Sequence, residues 1–172
     1  LRQFELDGGH RPIVHGDIKP SNLVWDENNE RLSLIDWGSS VYAQLDEHLQ
    51  PVQNNVLDLM SGDIQQTNAR LGDIYFIGDA QLNGERSSPR FDEQGLAGTL
   101  YALASGQSAR FAHQVIPPSS LGLPKILSDI LTYMLSDSVS EQHSGGDYLL
   151  SHLKLLENLV FANDSVERYE SL

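Results

Sequence analysis

Asp17, Lys19, Asn22 and Asp36 are the residues whose types and spacing could do chemistry together. Two carboxylates, an amide and an ammonium are the groups needed to grip magnesium and a triphosphate while orienting a hydroxyl. Phosphoryl transfer spreads negative charge over the transferred group. It therefore calls for magnesium ligands, a cation near the phosphate and a carboxylate that receives the proton of the attacking hydroxyl. Asp17 fits the last role. Asn22, five positions on, offers a neutral hard oxygen, and Asp36 offers the carboxylate oxygen that magnesium prefers. In an extended loop Lys19 points the same way as Asp17, a positive charge beside the proton acceptor. Taken alone, Asp17 and Asn22 also fit an ordinary Asx-rich turn after a strand.

The elements around these residues can be read from pattern. Leu1 to Leu6 reads as the tail of a helix ended by Gly8-Gly9, with Pro12 barring its continuation and Ile13-Val14 as a short extended entry. Leu23-Val24-Trp25 and Leu32-Ser33-Leu34-Ile35 are apolar runs separated by the polar Asp26-Glu27-Asn28-Asn29-Glu30, a connector of hairpin length. Such a hairpin puts Asn22 at the start of one strand and Asp36 at the end of its partner. From Ser39 to about Arg90 no period persists, and the segment reads as mostly irregular, with a short helix near Val56 to Met60 and a short apolar piece at Ile74 to Ile77. Order returns at Asp92. Leu96, Ala97, Leu100, Leu103 and Ala104 recur at helical spacing up to Gly106, on a helix apolar enough all round to be buried. Pro124 opens a second helix with a stripe of Ile126, Leu127, Ile130, Leu131, Met134 and Leu135. A last helix opens near Asp147 with Leu149, Leu150, Leu153, Leu156, Leu159 and Val160. The leucines of these three helices are expected in the core.

His15-Gly16-Asp17-Ile18-Lys19-Pro20-Ser21-Asn22 resembles the catalytic loop of the protein kinase superfamily, written H-R-D-x-K-P-x-N, and Asp36-Trp37-Gly38 resembles its magnesium-binding D-F-G. Asp92 to Gly106 resembles the central buried helix of the kinase C-terminal lobe, and Leu127 to Asp137 and Asp147 to Leu156 resemble its last helices. The resemblance implies Asp17 as catalytic base, Lys19 as γ-phosphate contact, and Asn22 and Asp36 as magnesium ligands. It implies His15 and Trp37 stacked in the core beneath the site, Gly38 closing the magnesium motif, and Asp92 hydrogen-bonded to the backbone of the catalytic loop. ATP and Mg2+ are the cofactors it implies, and a Ser or Thr hydroxyl the acceptor.

The pattern also departs from the family. Gly16 stands where many protein kinases carry an arginine that pairs with a phosphate on the activation segment, which puts control by that route in doubt for Ser39, Ser40, Tyr42, Ser61 and Thr67. The H-G-D and I-D-W-G spellings resemble aminoglycoside and choline-type phosphotransferases as well, while Lys19-Pro20 and the Asp92 helix favour protein kinases. No A-P-E stands between Asp36 and Asp92. No G-x-G-x-x-G strand pair or V-A-I-K lysine precedes His15, so an N-terminal lobe is expected in cis or in trans.

The whole chain bounds these readings. At 172 residues it fits one domain: entry over 1–14, catalytic and magnesium loops over 15–38, a long activation-type segment over 39–91 and a helical scaffold over 92–172. The fold class expected is mainly α (α+β), a kinase-like C-terminal lobe with a small β-hairpin. A net charge of −13 with scattered Lys and Arg argues against nucleic acid and anionic lipid. Absent cysteine removes disulfides and thiolate metal sites, and no apolar run reaches the roughly 20 residues of a membrane span. A cytoplasmic location is expected. His10, His48, His113, His143 and His152 lack metal-ligand spacing, and no G-x-S-x-G elbow supports hydrolase chemistry. The function expected is Mg-dependent transfer of the ATP γ-phosphate to a protein Ser or Thr. A small-molecule kinase and a non-catalytic kinase-like binding module are the alternatives.

Overall fold

Leu23–Asp26 and Arg31–Leu34 pair antiparallel as the expected hairpin, with Leu23 opposite Leu34 and Trp25 opposite Leu32. The computed structural model describes residues 5–6, 9–10, 12–43, 72–107, 116–136 and 149–158. In chain order the strands are β1 (Glu5–Leu6), β2 (Gly9–His10), β3 (Ile13–Val14), β4 (Leu23–Asp26), β5 (Arg31–Leu34) and β6 (Val41–Tyr42). The helices are α1 (Asp79–Leu82), α2 (Pro89–Ser105), α3 (Lys125–Leu135) and α4, residues 149–158. Among the described residues three two-stranded sheets form, β1–β2, β3–β6 and β4–β5.

The β4–β5 turn is tied by Asp26. Its Oδ1 accepts the Asn28 and Asn29 N–H groups at 3.1 and 3.2 Å, and its Oδ2 accepts Asn29 Nδ2 at 2.8 Å. Ile35 N–H then donates to Asn22 O at 2.9 Å, which closes the open end of the hairpin and brings the residues before Asp36 beside Asn22. One apolar face of the hairpin stays in solvent, with Trp25 at 57% exposure and Leu32 at 58%.

The expected helix tail before Pro12 is corrected over Glu5–Leu6, which is a strand paired with Gly9–His10. The expected helix at 56–60 lies outside the described residues. Ile74 to Phe76, in the expected apolar piece, form a turn that is followed by α1.

α2 begins at Pro89, a first-turn proline three residues before Asp92, and ends where Gly106 adopts a left-handed φ of 70° and its N–H donates to Ala102 O. α3 carries the expected stripe: Ile130, Leu131, Met134 and Leu135 are buried and pack with Ala97, Tyr101 and Leu156 into the main core. Burial of such side chains contributes about 1.5–3 kcal/mol each. Arg90 Nη2 donates to Met134 O and Ser136 O at 2.8 and 2.6 Å, pinning the C-terminal end of α3 to the start of α2. The expectation that all the leucines are core is corrected. Leu103, Leu150 and Leu153 are exposed, because α2 and α4 each offer one face to the core and leave the other in solvent. α2 also buries polar residues: Thr99 Oγ1 lies 3.5 Å from Ile18 O, and the Gln94 side chain lies against Gly78.

Candidate active site

Residues 15–22 lie against α2 between Asp92 and Thr99, and Asp92 fixes them there. His15 N–H donates to Asp92 Oδ2 at 2.8 Å and Gly16 N–H to Asp92 Oδ1 at 2.9 Å, so one carboxylate accepts two consecutive loop amides. Burial raises the Asp92 pKa above its ordinary value of 3.8, opposed by these two hydrogen bonds, which favour the ionised form.

Asp17 is almost wholly buried and both its oxygens are engaged. Oδ2 accepts Asn22 Nδ2 at 3.1 Å and meets Lys19 Nζ at 2.9 Å; Oδ1 accepts the Asp73 N–H at 2.8 Å. Asn22 Nδ2 also donates to Asp17 O at 2.8 Å, which spends both amide hydrogens and leaves Asn22 Oδ1 as the atom that a cation could use. The bond to Asp17 holds the Lys19 pKa above 10.5, with the charges of Asp73 and Asp36 adding to it. The Asp73 carboxylate stands 3.7 Å from Lys19 Nζ.

Asp36 follows β5 in a left-handed conformation, φ 60°, and its Oδ1 accepts Gly38 N–H at 3.4 Å. Its carboxylate is exposed. Asn22 Oδ1 and the Asp36 carboxylate are the hard oxygens here that could hold a cation. Magnesium is ordinarily held by one or two protein oxygens together with substrate phosphates, so this donor set fits it. No cluster of three or more His, Cys, Asp or Glu that could hold a metal occurs among the described residues.

His15 is fully buried. Its Nε2 lies 3.1 Å from Ile35 O and its Nδ1 accepts the Asp17 N–H at 3.3 Å, so one ring braces both loops. Trp37 meets His15 edge-on with ring centroids 4.8 Å apart, yet it is 44% exposed; the expected core stack is a half-open one. The Trp37 Nε1–H is anchored on Leu34 O at 3.1 Å.

Sequence reasoning missed two residues here. Asp73 reaches Asp17 and Lys19 from 56 positions away, and Gln81, 1% exposed, donates through Nε2 to Gly16 O at 2.6 Å. Neither carries a motif, and both stand in a stretch without period. Gly16 itself has φ +79°, and an added Cβ would lie 3.0 Å from Ser39 O. An arginine there would be strained, so the departure from H-R-D belongs to the shape of the loop as well as to its charge.

Comparison with known proteins places this geometry. The family model of a phosphotransferase enzyme family matches residues 3–46, the stretch that holds Asp17, Lys19, Asn22 and Asp36. No curated protein matches the chain. The solved structure of the Cydia pomonella granulovirus kinase PK-1 is similar with a TM-score of 0.55 and 18% identity, over 81% of this chain and 49% of the viral one. The chain therefore spans about half the length of that kinase. No described helix is long and apolar enough to cross a membrane. The helix-rich architecture with small antiparallel sheets resembles a kinase fold, and the phosphotransferase family match falls on the stretch that holds the site.

Proposed function

We propose that the chain is the C-terminal lobe of a kinase that transfers the γ-phosphate of ATP to a Ser or Thr hydroxyl of a protein. The observation that carries this reading is the Asp17, Lys19 and Asn22 cluster, held on Asp92 through the loop backbone. Asp17 Oδ2 is occupied by two donors and Oδ1 by one, so Oδ1 retains the free lone pair that can receive a proton. The acceptor O–H bond breaks towards that atom as the acceptor oxygen bonds to phosphorus. The bond from the γ-phosphorus to the bridging oxygen breaks, and its electron pair leaves with ADP. Lys19, positively charged and tethered to Asp17, faces the transferred group. Magnesium bound by Asn22 Oδ1 and Asp36 would neutralise phosphate charge. An N-terminal lobe, in cis or in trans, covers the adenine and the inner phosphates.

A second reading, transfer to a small-molecule hydroxyl, draws on the family match over residues 3–46 and on the His15-Gly16-Asp17 spelling. The test is phosphotransfer from labelled ATP in the presence of the N-terminal lobe, with Ser/Thr peptides, sugars, choline and aminoglycosides compared as acceptors. Transfer to peptides that Asp17→Asn and Asp36→Ala abolish is the expected result. Transfer confined to small molecules selects the second reading, and activity indifferent to both substitutions overturns both. Absence of transfer to every acceptor leaves a non-catalytic binding module.

A further inference from the structure

The segment 72–82 touches the catalytic loop through hydrogen bonds, close packing and the Asp73–Lys19 ion pair. Gln81 Nε2 donates to Gly16 O at 2.6 Å from a fully buried side chain, and Asp73 N–H donates to Asp17 Oδ1 at 2.8 Å. Between them Gly72 packs so closely that an added Cβ would lie 2.5 Å from Gly16 O and 2.8 Å from Gln81 Nε2. Any larger residue at position 72 would push the segment off the loop. Apart from the ion pair of Asp73 with Lys19, these contacts use no cation on the catalytic loop, and none of them needs a phosphate. The position from which an arginine could reach a phosphate is occupied by a glycine of left-handed conformation, whose carbonyl is already taken.

We infer that Gln81 is a positioning residue: its buried, uncharged amide docks segment 72–82 on the catalytic loop, so that Asp73 reaches Asp17 and Lys19 without any phosphate. The inference rests on the phosphotransferase reading for its kinetic consequences alone; the docking is a matter of geometry. A carbonyl hydrogen-bonded to a buried amide is costly to leave unpaired, so the lock is all-or-none at this point. A shift of about 1 Å in the residues around a catalytic carboxylate can cost a hundredfold in rate.

The experiment uses the full-length protein and two readouts, amide hydrogen exchange and steady-state phosphotransfer. In Gln81→Ala the Asp73 amide, donated to Asp17 in the docked state, exchanges faster than in the parent, while amides of α3 are unchanged. The kcat falls roughly tenfold to a hundredfold and the KM for ATP stays within about twofold. Gln81→Glu gives the signature that a merely structural side chain would not. At neutral pH its carboxylate repels Gly16 O and kcat falls; as pH drops the protonated carboxyl donates again, and the deficit relative to the parent narrows. Phosphatase treatment of the parent leaves kcat unchanged. Unaltered exchange of the Asp73 amide in Gln81→Ala, or kcat within about twofold of the parent in folded Gln81→Ala, would overturn the inference. So would a tenfold loss on phosphatase treatment. A parent protein without phosphotransfer would defeat the kinase reading and leave the exchange arm to decide the docking by itself.

Discussion

The two halves of the molecule are held together by different forces. Around α2, α3 and α4 the contacts are apolar: Ala97, Tyr101, Ile130, Leu131, Met134, Leu135 and Leu156 share one core. Around residues 12–43 and 72–82 the buried cluster is small, Val14 with Phe91, and the geometry is set by hydrogen bonds: Asp92 to two loop amides, His15 to two loops, Gln81 to Gly16. Apolar packing is tolerant of direction and scales with area, whereas a hydrogen bond fixes two atoms to within a few tenths of an ångström. The chain uses buried area where it needs bulk stability and directional bonds where it needs placement.

Substitutions in the two halves should therefore fail in different ways. The largest effect is expected from Asp17→Asn, which should lower phosphotransfer about 10²- to 10⁴-fold while far-UV circular dichroism stays unchanged. Leu131→Ala should do the reverse, losing about 2–5 kcal/mol in urea unfolding with a normal kcat for the folded fraction. A kcat deficit in that variant, measured well below its midpoint, would break the division. Asp92→Ala lies on the boundary, since it strands the His15 and Gly16 amides. It should cost about 1–3 kcal/mol and phosphotransfer together.

Titration sharpens the same contrast with a smaller effect. The folded pKa of Asp92 is raised above 3.8, chiefly by burial, so the folded state binds its proton before the unfolded chain does as pH falls. The stability of the parent relative to Asp92→Asn should then grow as pH falls through the folded pKa towards 3.8, and level off below it. Urea unfolding of both proteins across that range is the measurement; a difference that shrinks would reverse the assignment. The smallest effect is expected from Trp25→Ser. That ring lies mostly in solvent against Leu32, so its loss should cost under about 1 kcal/mol in the same assay.

What the sequence makes legible follows the same line. The hairpin is readable because two apolar runs flank a polar connector, and α3 because its stripe repeats at helical spacing. Asp17, Asn22 and Asp36 are readable because a motif fixes their spacing. Gln81 and Asp73 are not, since their partners stand 65 and 56 positions away and a glutamine in an aperiodic stretch reads as surface. The β3–β6 pair, Ile13 opposite Tyr42, is too short for a period of two to show. Leu150 and Leu153 mislead in the opposite sense, as leucine-rich helices look buried on every side when only one face has a neighbour.

The half-open Trp37 has an optical consequence. Trp25 and Trp37 are the only two tryptophans of the chain, one on the hairpin and the other in the turn after it. Tryptophan emission is therefore a private channel of the half that holds Asp17 and Asp36, and far-UV dichroism is dominated by the helical half. Followed through one unfolding curve, the two signals should coincide if the directional and the apolar halves melt as one cooperative unit, and separate if the site comes apart first.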